Sequence, residues 1–79
     1  MAAAKIDQRS PVPAYRQLAD ILQRQIESGK LPPDSRLPSE TTLIQEYGVA
    51  RGTVRQAIAV LRDRDLVVTV QGRGSYVKA

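Results

Sequence analysis

Arg51, Arg55 and Arg62 recur along one short stretch, with Thr53 and Gln56 set among them. Guanidinium groups repeated at such intervals, interleaved with a hydroxyl and a carboxamide, suit recognition of a polyanion. Each arginine carries five N–H donors in a rigid fork that fits a phosphate, or the O6 and N7 edge of guanine. Gln56 is open to two roles, adenine reading or a phosphate-facing, solvated position. Further along, Gln71-Gly72-Arg73-Gly74 sets another base between two glycines, where the missing side chains let backbone approach a groove closely. Catalysis is poorly supplied by comparison. The sequence holds no histidine and no cysteine, which removes the commonest general base, metal ligand and thiolate nucleophile. No cofactor and no metal are expected, and a nuclease reading lacks a carboxylate cluster to support it.

These residues need elements to hold them. Val54, Ala57, Ile58 and Leu61 fall at i, i+3, i+4 and i+7, the buried stripe of an amphipathic helix over about 51–63. Arg51, Arg55 and Arg62 then run along one flank of the stripe, and Gly52, Gln56 and Ala59 face away from it. Just upstream, Leu43, Ile44 and Tyr47 mark a shorter helix. Ser39 is its N-cap, Glu40 complements its dipole, Gly48 ends it, and Val49 plugs the gap to the next helix. A short helix, a glycine turn and a second amphipathic helix make a helix-turn-helix.

The remaining elements frame that unit. Pro13 suits the opening of a helix over 13–28, with Tyr15, Leu18, Ala19, Leu22 and Ile26 inward and Gly29 as a left-handed cap. Three prolines make Lys30–Pro38 extended, anchored by Leu31 and Leu37. Arg36, in that segment, contacts phosphate or stays solvated. After Asp65 the period drops from 3.6 to 2: Leu66, Val68 and Val70 alternate with Val67 and Thr69, and Ser75-Tyr76-Val77 returns beyond the glycine-bracketed turn. A basic hairpin after a helix-turn-helix is a wing; a plain surface hairpin with turn glycines is the alternative. The expected fold is mainly α with a small β hairpin, a three-helix winged helix-turn-helix with an antiparallel wing. Residues 1–11 form a flexible N-terminal tail and 12–78 the domain.

Charge is distributed to match. The chain has 79 residues with 12 Lys+Arg against 8 Asp+Glu, a net of +4. Arg51, Arg55, Arg62, Arg64, Arg73 and Lys78 face only Asp63 and Asp65, so the excess lies from residue 48 onward, while the first 47 residues balance. Basic charge gathered on one part of a small domain is the electrostatic footprint of a nucleic-acid binder. No apolar run reaches the roughly 18 residues of a membrane span, and the start lacks a signal-peptide core, so a soluble intracellular protein is expected.

Taken together, several runs are recognisable: Tyr15-Arg16-Gln17-Leu18-Ala19, Ile26-Glu27-Ser28-Gly29-Lys30-Leu31-Pro32-Pro33, Leu37-Pro38-Ser39-Glu40, Thr53-Val54-Arg55-Gln56-Ala57 and Gly72-Arg73-Gly74-Ser75-Tyr76-Val77. In this order they resemble the N-terminal winged-helix domain of the GntR family of bacterial transcription regulators, over about residues 12–78. The resemblance implies double-stranded DNA as partner, read as an inverted-repeat operator by two copies that pair on DNA, with repression as the regulatory sense and the bacterial cytoplasm and nucleoid as location. It implies base and phosphate contacts from Arg51 and Arg55, a phosphate contact from Thr53, and minor-groove approach by Gly72 flanked by Gln71 and Arg73. Ser39, Arg36 and Gln56 complete the candidate contacts. Family members continue into an effector-binding and dimerisation domain that this chain lacks. A winged helix that binds an acidic protein through the same face is the alternative function.

Four positions depart from the family pattern. Ala50 replaces the serine or threonine usual before Arg51, removing a helix cap worth about 1 kcal/mol. Thr41 stands where many members have a backbone-contacting arginine. Asp34 and Asp65 occupy positions commonly held by glycine, and aspartate tolerates left-handed backbone better than most residues. Fewer phosphate contacts imply weaker binding with a shallower salt dependence.

Overall fold

The computed structural model describes residues 5–79. Helix α1 runs Ala14–Glu27, with Pro13 as its N-cap residue. Its end follows from Gly29 at φ +85°, over which the Leu31 N–H donates back to the Gln25 carbonyl at 3.0 Å. Helix α2 runs Glu40–Tyr47 and stops at Gly48, whose φ of +66° is left-handed. Helix α3 runs Arg51–Asp63. Strands β1, Val67–Val70, and β2, Gly74–Val77, pair antiparallel with Val67 opposite Val77, Val68 opposite Tyr76 and Thr69 opposite Ser75.

Every element gives at least one side chain to a single core. Leu18 and Leu22 come from α1, Leu43 from α2, Val54 and Leu61 from α3, Val67 from β1 and Val77 from β2, all fully or almost fully buried. Each such side chain contributes about 1.5–3 kcal/mol through removal from water. Among the described residues no polar or charged side chain is buried. The core is therefore dry, and polar work is left to the surface.

Two features hold the extended segment and the wing in place. The 3.6-period stripe ends where Asp65 turns the chain at φ +63°, and the Leu66 N–H reaches the Leu61 carbonyl at 2.9 Å. Asp34, at φ +66°, makes the matching turn at the other side of the sheet. Both aspartates thus occupy the left-handed backbone that glycine would take more easily. From Asp34 the chain runs alongside β2: the Asp34 N–H donates to the Val77 carbonyl at 2.9 Å, the Val77 N–H to Ser35 at 2.8 Å and the Leu37 N–H to Ser75 at 2.8 Å. Arg36 bridges Tyr76 in antiparallel fashion. The expected extended course holds only after a turn at residues 32–35, where the Ser35 N–H donates to the Pro32 carbonyl at 3.1 Å; beyond it the chain meets β2 through a single isolated bridge.

The return strand begins at Gly74 rather than Ser75, which makes the wing turn a three-residue loop, Gln71-Gly72-Arg73, closed by the Arg73 N–H on the Val70 carbonyl at 3.0 Å. At the other end of the chain, residues 5–12 are tied to α1. The Gln17 side chain donates to the Asp7 and Val12 carbonyls at 2.9 and 2.8 Å and accepts from the Asp7 N–H at 2.8 Å, while Ile6 packs on the core. Of the expected flexible tail, residues 1–4 lie outside the described residues, and Gln17 holds much of the remainder.

Candidate nucleic-acid interface

Helix α3 owes its placement to the turn before it. Gly48 supplies the left-handed step, Val49 drops into the core, and α3 docks across α2 with Val54, Ala57, Ile58 and Leu61 inward. The opposite side of the helix is then fixed. Arg51, Gly52, Arg55 and Gln56 are exposed and Thr53 is half-buried. Ala50, the N-cap residue of α3, makes no side-chain capping bond, and the first turn carries no acid. The first N–H groups of α3 thus keep the partial positive charge of an uncapped helix end.

Helix α2 brings an unexpected partner to this face. Glu40 sits in its first turn, and its carboxylate accepts from both arginines. Arg51 Nη1 donates to Oε1 at 2.7 Å, and Arg55 Nε donates to Oε2 at 3.1 Å. The Arg51 bond does most to hold the Glu40 carboxyl below its ordinary range. Desolvation works against it, and Arg55 adds a second lowering. The arginine side chains nonetheless remain 51% and 67% exposed.

Between the α2 start, α3 and the wing runs a groove of about 370 Å³, lined by Arg36, Ser39, Glu40, Arg51, Thr69 and Ser75 among others. Its wing side is polar because the period-2 alternation puts Thr69 and Ser75 on the face toward α3. Their hydroxyls lie 3.1 Å apart, and Arg62 Nη1 donates to Thr69 at 3.2 Å. Val68 and Val70 point the other way and stay 41% exposed. Arg36 lies along the groove against Gly74: a Cβ at Gly74 would meet Arg36 Nε at 3.1 Å, and its φ is +107°. The positive φ favours glycine there, whereas the Arg36 guanidinium need shift only a few tenths of an ångström to admit a Cβ.

The structure thus brings Arg36, Ser39, Arg51, Thr53, Arg55 and Gln56 to α3 and its adjoining groove, and sets Gln71, Gly72 and Arg73 on the exposed wing turn. Ser39 is engaged as a cap, its hydroxyl accepting from the Thr42 N–H at 3.1 Å and donating to Thr42 Oγ1 at 2.9 Å. Among the described residues Arg36, Arg62 and Arg73 form no ion pair, whereas Arg64 is tied to Asp20 and Gln23 on α1 and Lys78 to Asp65. Arg62 was read on the same basic flank but not among the contact residues, and Glu40, Thr69 and Ser75 were not singled out for the site by the sequence reading. The facing of Thr69 and Ser75 follows from the hairpin register; the role of Glu40 needs the α2–α3 docking itself.

Three helices and an antiparallel hairpin around a basic groove define a winged helix-turn-helix. Residues 14–77 match the family described as "Bacterial regulatory proteins, gntR family". The chain is 47% identical over 66 residues to the Mannosyl-D-glycerate transport/metabolism system repressor MngR of Escherichia coli (strain K12), covering 84% of this chain and 28% of that protein. It is 42% identical over 72 residues to the HTH-type transcriptional repressor NagR of Bacillus subtilis (strain 168), covering 91% and 30%. Among solved structures, AraR(DBD) in complex with operator ORX1 superposes with a TM-score of 0.86 at 35% identity, covering 94% of each chain. This chain belongs to the GntR family. It spans under a third of the length of the curated relatives it matches.

Proposed function

We propose that this chain is the DNA-binding module of a sequence-specific bacterial transcription repressor, acting in the cytoplasm on the nucleoid. Helix α3 enters the major groove, with Arg51 and Arg55 as the base- and phosphate-contacting arginines and Thr53 and the uncapped α3 N–H groups on phosphate. Gln56 reads a base or faces phosphate. The wing turn, Gln71-Gly72-Arg73, lies at the minor groove, and Arg36 and Ser39 line the backbone on the α2 side. Two copies bind inverted half-sites about one helical turn apart.

One observation carries the reading. Arg51 and Arg55 stand side by side on the outer face of α3, each bonded to Glu40 and each still more than half exposed. A helix that carries two exposed guanidinium groups, beside a wing turn bearing the unpaired Arg73, is suited to a duplex. AraR(DBD), a structure of the same fold and 35% identical, is in complex with operator DNA.

The test begins with selection of an operator from a random pool. Fluorescence anisotropy then compares that duplex with a scrambled one at two salt concentrations, for wild type, Arg51→Ala and Arg55→Ala. Salt-sensitive preference for the selected duplex, weakened by both substitutions without loss of helical circular dichroism, is the expected result. Folded wild type that shows no preference at low salt contradicts it and leaves an acidic protein as the partner.

A further inference from the structure

Arg51 and Arg55 are neighbours at i and i+4, where two like charges repel and long side chains ordinarily wander among rotamers. Here both are fixed by one carboxylate from another helix, with one Glu40 oxygen given to each. The choice of atoms matters. Arg51 is held by Nη1, which leaves its Nε and Nη2 edge open, and Arg55 is held by Nε, which leaves its Nη1 and Nη2 end open. Each guanidinium therefore keeps a complete two-donor fork of the kind that meets guanine O6 and N7 or two phosphate oxygens. A carboxylate that merely blocked the arginines would cover those forks. Glu40 takes only one donor from each guanidinium.

We propose that Glu40 is a positioning residue for duplex recognition: its carboxylate locks Arg51 and Arg55 as a pair with their free forks outward, while its charge weakens sequence-independent attraction. The inference rests on the DNA-binding reading above and adds a source of discrimination to it. Specificity is a difference of affinities. Glu40 acts on both terms, since a preset fork loses less freedom on reaching the correct base, and one more negative charge on the face reduces binding to any phosphate backbone.

Two substitutions separate the terms. Glu40→Gln removes the charge and keeps the length. Glu40→Asp keeps the charge and its favourable place in the first turn of α2, but falls one methylene short of spanning both arginines. For Glu40→Gln, affinity for a scrambled duplex is expected to rise several-fold at low salt, roughly the effect of one added counterion, and the ratio of selected to scrambled affinity to fall about tenfold. For Glu40→Asp, the ratio is expected to fall with little change on the scrambled duplex. A purely structural role would shift the unfolding midpoint and leave both ratios unchanged, which overturns the proposal. A rise in selected-site affinity that exceeds the rise on scrambled DNA also overturns it, because Glu40 would then be a competitor for the arginines.

A second measurement needs no DNA. In the free protein, the Nε–Hε signal of Arg55 is expected to be shifted and slow to exchange with water, and to resemble that of Arg9 once Glu40 is glutamine. A wild-type Arg55 signal exchanging as fast as that of Arg9 means that no clamp exists and the inference fails. Wild type without preference for the selected duplex is a separate failure, that of the proposed function, and the Arg55 signal still decides whether the arginines are held.

Discussion

Helix α2 starts at a serine whose hydroxyl closes on the Thr42 N–H at 3.1 Å, with an acid in its first turn. Helix α3 starts only a few residues after α2 ends, at an alanine that closes nothing, and its first turn holds Arg51 instead of an acid. By the ordinary physics of helix ends the first arrangement is favourable and the second is not: a cap is worth about 1 kcal/mol, and a cation at an N-terminus opposes the dipole. The difference divides the labour of the domain. The α2 end is capped and acidic, whereas the α3 end is uncapped, cationic and solvent-facing. Glu40 joins the two. It satisfies the dipole of α2 and compensates the charge that α3 carries for its partner.

Substitutions can break this contrast from either side. The largest expected effect is at the α3 end. Arg55→Ala or Arg51→Ala should weaken binding to a selected operator by about 1–3 kcal/mol, roughly ten- to a hundredfold, with an unfolding midpoint close to wild type. Anisotropy beside a urea melt checks both halves of that statement. Ser39→Ala acts on the other helix: it should cost about 1 kcal/mol of stability by urea denaturation, because the Thr42 N–H loses its acceptor. Ala50→Ser sharpens the contrast by giving α3 the cap it lacks. A gain of about 0.5–1 kcal/mol in stability is expected from the same melt, through restored capping at an N-terminus that has none now.

The smallest effect is a pH dependence. Arg51, with Arg55 behind it, holds the Glu40 pKa below its ordinary value in the folded state. The carboxylate therefore contributes stability above the ordinary glutamate pKa, and that contribution is lost as pH falls through the lower folded value. Because the pair is partly exposed, the contribution is small. Urea midpoints for wild type and Glu40→Gln, followed from neutral pH into acid, should converge as Glu40 protonates.

Much of the frame is legible in the residues. The stripe Val54, Ala57, Ile58, Leu61 is buried as its spacing requires, and Gly29 and Gly48 end their helices in left-handed backbone. Local periodicity and cap chemistry carry that information. Asp34 and Asp65 also take positive φ, and the resemblance to a family with glycine at those positions pointed there. What escaped is long-range. The Glu40 clamp links residues 11 and 15 apart, and the Gln17 bonds to Asp7 link residues 10 apart, so neither belongs to any periodic pattern. The isolated bridge from Arg36 to Tyr76, with its flanking hydrogen bonds, arises where the proline-rich backbone lies beside β2, and the sequence of that segment reads only as extended.

The face that meets DNA can be mapped directly by titrating a selected operator duplex into 15N-labelled protein and following the backbone and arginine side-chain signals. The expected result is perturbation concentrated at residues 50–56, at Glu40 and at the wing turn 71–74, with the outer surface of α1 around Arg24 unchanged. Perturbation centred on α1, with the α3 start silent, would contradict the assignment of α3 as the reading helix.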